Sequence, residues 1–327
     1  MAVQSETLTA APTPADLEQY RRELTGYCYR MLGSGFEAED AVQETMVRAW
    51  RATDSFEGRS AVRSWVYRIA TNVCLDMLRG RQRRARPMEM GPSRLADPVH
   101  LVDLLPEGSW VSPIADERAV RDDADPAEVA EARDTIRLAF VAALQHLPPR
   151  QRAVLILREV LRWQATEVAE LLDTSVASVN SALQRARATL STCDTGAADV
   201  TSIGTDEQDL LARYVDAFER YDIPALVALL HEDAIQSMPP YAMWLQGSDQ
   251  IAAWMLGAGI GCKGSRLLAV HANGCAAFGQ YRIDPAGGHA PWALQVLEIT
   301  AGRISAFHAF LDPALFGFFG LPDHLDD

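Results

Sequence analysis

Apolar positions recur at helical spacing from the start of the chain: Leu17, Tyr20, Leu24, Tyr27, Cys28 and Met31. That spacing predicts a helix, with Thr13 suited to cap it, Pro14 to its first turn and Gly33 to its end. A second helix is predicted over about 36–53. It puts Ala41, Val42, Thr45, Met46, Ala49 and Trp50 on the packed side and Glu39, Asp40, Gln43, Glu44 and Arg48 on the other. In a third, Val62, Val66, Ile69, Val73 and Met77 fall within roughly 80° of arc at 100° per residue. Arg68, Asn72 and Arg79 cluster on its opposite side with Trp65 beside them, and Arg81, Arg83, Arg84 and Arg86 continue the basic run.

Periodicity stops after Arg86. Residues 87–125 are rich in proline and acid, which predicts an irregular linker with a short apolar anchor around Leu101–Leu105. Helical patterning returns at Pro126 and is expected to run through His146, then to restart after Pro148 and Pro149. "ATEVAELLDTSVASVNSALQRARATL" predicts two short helices around a tight turn. Ala169 lets them close, and Asp173 stands where such turns commonly hold glycine. In the second of these helices Val176, Val179, Leu183, Ala186 and Leu190 face inward. Asn180, Ser181, Gln184 and Arg185 form another face, kept low by Ala177 and Ala188, that suits a DNA major groove. From about residue 205 two helices and a strand precede strand-like runs near 266–271, 275–283, 292–300 and 302–310. A helical pair followed by several strands predicts an α+β domain with a curved sheet.

Charge changes the picture. The 327-residue chain has a formal net charge of −14. A net positive balance is confined to residues 59–86, with 8 basic against 1 acidic side chain, and residues 135–190, with 7 against 4. Acidic segments precede, separate and follow them, so long-range steering of the free chain toward DNA is weak and a larger partner is expected. The five cysteines, Cys28, Cys74, Cys193, Cys262 and Cys275, lack paired-ligand spacing, which predicts buried thiols with no metal and no cofactor. No apolar run is long enough to cross a membrane, and the first residues lack a signal-peptide pattern, so a cytoplasmic protein without membrane insertion is expected.

The stretches "AEDAVQETMVRAW" and "SWVYRIATNVCLDMLR" resemble region 2 of the sigma factors of bacterial RNA polymerase, and "LPPRQRAVLILREVLRWQATEVAELLDTSVASVNSALQRARATL" resembles region 4. Nothing resembling region 3 lies between them, as in the extracytoplasmic-function class. "YVDAFERYDIPALVALLHEDAIQSMPP" and "GRISAFHAFLDPALFGFFGLP" are similar to SnoaL-like domains. The resemblance implies a multidomain chain. Two all-α sigma domains occupy 14–86 (region 2) and 126–191 (helix-turn-helix region 4). The acidic linker at 87–125 joins them, and an α+β cone-shaped SnoaL-like domain at 205–327 modulates activity.

The resemblance also implies roles. Asp40, Gln43, Glu44 and Arg48 match the helix that docks on the beta-prime clamp of a core polymerase whose beta subunit is a second partner. Phe56, Arg59, Ser60, Arg63, Trp65, Arg68, Asn72 and Arg79 match the loop and helix that open and read the minus-ten element of promoter DNA. Asn180, Ser181, Gln184 and Arg185 match the face that reads the minus-thirty-five element, and the linker matches a segment that threads toward the RNA exit channel. An anti-sigma factor and a small ligand are further partner classes that the resemblance admits.

Two other readings exist. A polymerase-independent helix-turn-helix regulator accounts for residues 165–190 but not for "AEDAVQETMVRAW". An enzyme would use the SnoaL-like cone, with Asp233, His271, His289 and His308 as acid–base candidates and Tyr241 and Trp244 as pocket walls. Of these, Asp233, Tyr241, Trp244, His271 and His308 form the candidate pocket. No spacing among them selects an acid–base pair, and the chain is expected not to be an enzyme.

Overall fold

The computed structural model describes residues 12–53, 56, 61–97, 104–106, 108–121, 125–193 and 205–326. The chain divides into two compact units. One joins Met1–Arg84 to Asp116–Thr195, and the other joins Ala85–Ala115 to Gly196–Asp327.

The first unit is helical. The expected N-terminal helix is two, α1 (Pro14–Glu18) and α2 (Arg21–Leu32). Thr13 and Asp16 cap α1 reciprocally, and α2 ends at Gly33 with φ +72°. That left-handed corner turns the chain straight into α3 (Gly35–Ala52), where the Ser34 hydroxyl accepts from the Glu37 amide at 3.4 Å. Packed on both is α4 (Val62–Met77), through buried Val62, Val66, Tyr67, Ala70 and Val73. The Tyr27 and Thr71 hydroxyls meet there at 2.8 Å. A short helix α5 (Pro87–Met90) belongs to the other unit, whereas α6 (Asp116–Ala119) packs on α2. Gly26 makes that approach feasible, because a Cβ there would stand 2.6 Å from the Ala119 carbonyl oxygen.

The helix expected through His146 is also two, α7 (Pro126–Asp134) and α8 (Leu138–Gln145). Between them Ile136 is fully buried, and this packing overrides the local helical pattern. Next come α9 (Pro149–Leu155), a π turn over Ile156–Val160, α10 (Ala165–Leu171) and α11 (Val176–Leu190).

The second unit places α12 (Thr205–Glu219) and α13 (Ile223–Leu229) before a six-stranded sheet of order β2-β1-β6-β5-β4-β3. Its strands are β1 (Leu230–Ser237), β2 (Trp244–Gln246), β3 (Arg266–Ala272), β4 (Cys275–Ile283), β5 (His289–Thr300) and β6 (Arg303–Phe310). The β1–β6 pair is parallel and the others are antiparallel. Short β2 and the helix that follows it, α14 (Ser248–Leu256), had no clear signal in the sequence pattern. A last helix, α15 (Ala314–Phe318), follows β6. The core joins Tyr214 and Phe218 of α12 to Phe278, Leu297 and Phe307 of the sheet. A buried polar chain crosses it: Tyr214 donates to Gln295 at 2.7 Å, Gln295 to Gln280 at 2.8 Å and Gln280 to Ser265 at 3.0 Å.

The described part of the linker is irregular apart from α5 and α6, but its anchoring is not the light one expected. Leu104 is exposed, residues 101–103 lie outside the described residues, and the buried anchors are Ala85, Pro87, Val111, Ile114 and Ala115. Residues 85–115 are fastened to the sheet domain at widely separated points. The Arg94 amide donates to the Trp244 carbonyl at 2.9 Å, and the Trp244 indole donates to the Gly91 carbonyl at 2.8 Å. The Ala96 amide reaches Gln250 at 3.1 Å, and the Leu105 amide reaches the Pro240 carbonyl at 2.9 Å. At the far end Ile114 and Asn273 exchange two bonds of 3.1 Å. Trp244 lies on edge strand β2 and Asn273 at the β3–β4 turn, so the linker engages both edges of the sheet.

Candidate functional site

Helix α3 separates its residues cleanly. Ala38, Ala41, Val42, Thr45 and Ala49 are buried, whereas Asp40, Gln43, Glu44 and Arg48 are exposed. Glu44 accepts from Arg48 at 2.7 Å, and the Arg48 guanidinium also lies 3.8 Å from Asp76 of α4. Trp50, expected on the packed side, is instead 64% exposed. At 100° per residue it falls only about 20° from Gln43 and roughly 120° from the centre of the buried arc. Beside this face a groove of about 420 Å³ is lined by Arg21, Thr25, Glu39, Val42, Gln43 and Arg118, with Arg118 ion-paired to Glu39.

The α4 set is only partly free. Asn72 is exposed, and exposed Arg79 pairs with Asp76 at 2.9 Å. Trp65 packs on Phe56 with ring centroids 5.1 Å apart. Arg63 donates through Nε to Glu23 at 2.7 Å, and Tyr67 donates to the same carboxylate oxygen at 2.7 Å. Arg68 donates to the Glu170 carbonyl at 3.0 Å. Arg59 and Ser60 lie outside the described residues. The basic run past α4 is also engaged: Arg84 reaches Glu37 at 2.8 Å, Arg81 pairs with the same carboxylate, and Arg83 meets His146.

Helices α10 and α11 form a helix-turn-helix. Gln164 and Glu167 cap α10 reciprocally. Asp173 takes a left-handed φ of +49° in the turn, and Ser175 caps α11 by accepting from Ser178 at 3.2 Å. Val179, Leu183 and Ala186 are buried, while Val176, expected inward, is 38% exposed. Asn180, Ser181, Gln184 and Arg185 are all exposed on the outer side. The neighbouring Arg187 is fixed by Glu159 at 2.6 Å, whereas Arg185 makes a 3.3 Å contact with Ser181 on its own helix.

The five pocket candidates are only partly brought together: Trp244 and His308 both stand opposite Ser237 of β1, whereas Asp233 and His271 lie elsewhere on the sheet. Trp244 is on edge strand β2, His271 is exposed on the opposite edge strand β3, and Asp233 is exposed in β1. Tyr241 sits in the turn after β1, bridged to Leu104. His308 is buried in β6, where Nδ1 meets the Ser237 hydroxyl at 2.8 Å and Nε2 lies 3.5 Å from Glu298. His289 is likewise apart, with Nε2 3.1 Å from the Gly264 carbonyl. The acid–base candidates Asp233, His271, His289 and His308 lie on four different strands. Among the described residues no cluster of potential metal ligands occurs, and no helix is long and apolar enough to cross a membrane.

Several important residues carried no mark in the sequence pattern. Glu23, Tyr67 and Trp163 surround Arg63: the Tyr67 and Trp163 ring centroids are 5.0 Å apart, and the Arg63 guanidinium lies 5.2 Å from the Trp163 ring. Arg30 and Arg152, which the sequence pattern did not single out, are both buried.

Comparison with known proteins agrees with this division. The Sigma-70 region 2 family matches residues 17–84, Sigma-70 region 4 matches 137–190, and the SnoaL-like domain matches 211–307. The chain is 48% identical over 319 residues to the ECF RNA polymerase sigma factor SigG of Mycobacterium tuberculosis, covering 95% of this chain and 84% of that one. It is 26% identical over 321 residues to SigJ of the same species, covering 92% of each. The crystal structure of SigJ shares the fold, with a TM-score of 0.58 at 22% identity over 95% of this chain and 100% of that one. With region 2, region 4 and a SnoaL-like domain in that order, and such identity along nearly its whole length, the chain belongs to the extracytoplasmic-function sigma factors of RNA polymerase, which are transcription initiation factors.

Proposed function

We propose that α3 presents Asp40, Gln43, Glu44, Arg48 and Trp50 to the beta-prime subunit of core RNA polymerase, and that α4 and α11 then divide the promoter between them. Trp65, Arg68, Asn72 and Arg79 serve the minus-ten element, with the aromatic ring available to unpaired bases and guanidiniums to phosphate. Arg63 instead holds Glu23 within the unit. On α11, Asn180, Ser181, Gln184 and Arg185 read base edges of the minus-thirty-five element in the major groove. The observation that carries this reading is the pair of exposed polar faces, on α3 and on α11, each set on a helix whose other side is buried. Because the chain is acidic overall, polymerase supplies most of the affinity for DNA. The SnoaL-like domain modulates activity by holding residues 85–115, which join the two promoter-reading regions.

Transcription with purified core polymerase and a promoter selected from a random library tests this. The chain is expected to give promoter-dependent transcripts, and Asp40→Ala with Glu44→Ala is expected to weaken holoenzyme assembly without loss of helicity. Arg185→Ala is expected to reduce use of promoters carrying the cognate upstream element by about 1–3 kcal/mol. Sequence-specific DNA binding that core polymerase does not enhance would favour the polymerase-independent regulator instead.

A further inference from the structure

Regions 2 and 4 lie within one compact unit, yet the elements they read are far apart. A folded unit of this size has a radius of gyration of about 15 Å and so is roughly 40 Å across. Promoter positions minus-ten and minus-thirty-five are separated by about 25 base pairs, some 85 Å of duplex at ~3.4 Å per step. The compact form therefore cannot engage both elements, and the contacts that keep it compact are the ones promoter binding must break.

Three arginines make those contacts in the same way. Arg30, in the last turn of α2, donates to the Thr135 hydroxyl at 2.6 Å, the Thr135 carbonyl at 3.2 Å and the Ala132 carbonyl at 3.3 Å, at the end of α7. From the other side Arg152 of α9 donates to the Met31 carbonyl at the end of α2, and also to the Gln145 and Leu147 carbonyls at 3.2 and 3.1 Å, at the end of α8. Gln145 adds a 3.4 Å bond to the Arg30 carbonyl. Arg68 of α4 donates to the Glu170 carbonyl in the last turn of α10. Unsatisfied carbonyls at a helix end carry partial negative charge, so a cation there is favourable. Trp163, buried against Tyr67 and Arg63, closes the same side of α4.

We propose that Arg30, Arg68 and Arg152 form a latch between regions 2 and 4, each capping a helix end of the opposite region, and that promoter engagement opens it. This rests on the promoter-binding reading above. Among the described residues no partner of the three is a carboxylate. Burial without a counter-charge disfavours the guanidiniums of Arg30 and Arg152 and pushes both down to about 10. Opening returns these two charges to water, which offsets part of the hydrogen bonding to the helix-end carbonyls that holds the latch closed. Arg68 is exposed, and a phosphate can take it from the Glu170 carbonyl, which makes DNA itself a competitor for one limb of the latch. The α11 face remains exposed in the latched form, whereas Arg63 and Arg68 of α4 are engaged.

The test uses the full-length chain with Cys193 and Cys262 replaced by serine and spin labels at exposed Arg51 and Thr166, read by electron–electron distance measurement. The otherwise native chain is expected to give one short distance. Arg30→Met combined with Arg152→Met is expected to raise the population at long distances at least tenfold. The same variant is expected to transcribe several-fold more than the native chain from the library-selected promoter at limiting polymerase. Should the double variant unfold, Trp163→Ala is measured instead, with the same lengthening expected. Distances unchanged in these variants, or long distances already dominant in the native chain, would overturn the latch. Absence of any transcript with core polymerase, alongside lengthened distances, would instead overturn the promoter-binding reading on which it rests.

Discussion

At the residue scale, Trp50 shows how a side chain's neighbours on the helix decide its use. Its 64% exposure means that its removal leaves little behind to repack, so Trp50→Ala is expected to change folding stability by less than about 0.5 kcal/mol. Interface tryptophans, by contrast, are among the side chains that carry binding energy. The same substitution is therefore expected to weaken association with core polymerase about tenfold or more, measured by titrating a fluorescently labelled chain with polymerase. A chain that loses stability but keeps its affinity would place Trp50 in the fold and not at the interface. Arg63 carries the opposite lesson. Its bonds to Glu23, beside Tyr67 and Trp163, spend the guanidinium inside the unit, which no reading of α4 by itself reveals. Arg185 makes its 3.3 Å bond within its own helix, leaving it better placed to meet a ligand.

At the element scale, the turn between α10 and α11 depends on Asp173 at φ +49°. A β-branched side chain resists that conformation, at roughly 1–2 kcal/mol for the left-handed region. Asp173→Val is expected to lower stability by about that amount, seen as a lower denaturation midpoint, with loss of DNA binding by α11. Asp173→Gly is expected to be neutral or stabilising; equal destabilisation by both would trace the effect to the carboxylate instead. This turn was legible in the sequence, as were α3, α4 and α11, because one face of each helix meets a core at helical period. Strands β3, β4 and β6 showed as apolar runs between Gly and Asp-Pro turns. What escaped the pattern depends on tertiary contact. Ile136 is buried in the gap between α7 and α8, where periodicity ran on unbroken. Short β2 is defined by pairing with β1 across one turn, through Ile235–Gln246 and Ser237–Trp244, and its three residues are too few to show an alternation. The inward expectation for Val176 failed: it is the first residue of α11 and is 38% exposed. Candidate residues on α3 and α11 followed from helical arithmetic, whereas the set spread over the sheet did not, since strand alternation says nothing about which strands are neighbours.

At the scale of the whole molecule, the linker's place sets a limit on opening. Residues Ala85–Ala115 join region 2 to region 4 and fold with the SnoaL-like domain. Fully extended, a segment of this length reaches about 105 Å, enough for the roughly 85 Å between promoter elements, but only once it has left the sheet. Holding the linker therefore holds the two promoter-reading regions within short reach, and this is how the SnoaL-like domain restrains activity in the function proposed here. Asn273 is the most accessible handle on that hold. It is buried at φ +57°, its side chain accepts from the Ile114 amide at 3.1 Å, and its own amide donates to the Ile114 carbonyl at 3.1 Å. Asn273→Gly keeps the left-handed backbone and the second bond while deleting the first. The loss of one buried acceptor leaves the Ile114 amide unpaired, a change of about 1–3 kcal/mol. Hydrogen exchange at Ile114 is then expected to quicken by roughly five- to a hundredfold, while exchange in β4 and β5 stays as it was. Transcription from the library-selected promoter is expected to rise in the same variant. A faster Ile114 amide with unaltered transcription would leave the linker bound to the sheet for stability alone, and unaltered exchange would show that the side-chain bond does not fasten the linker at all.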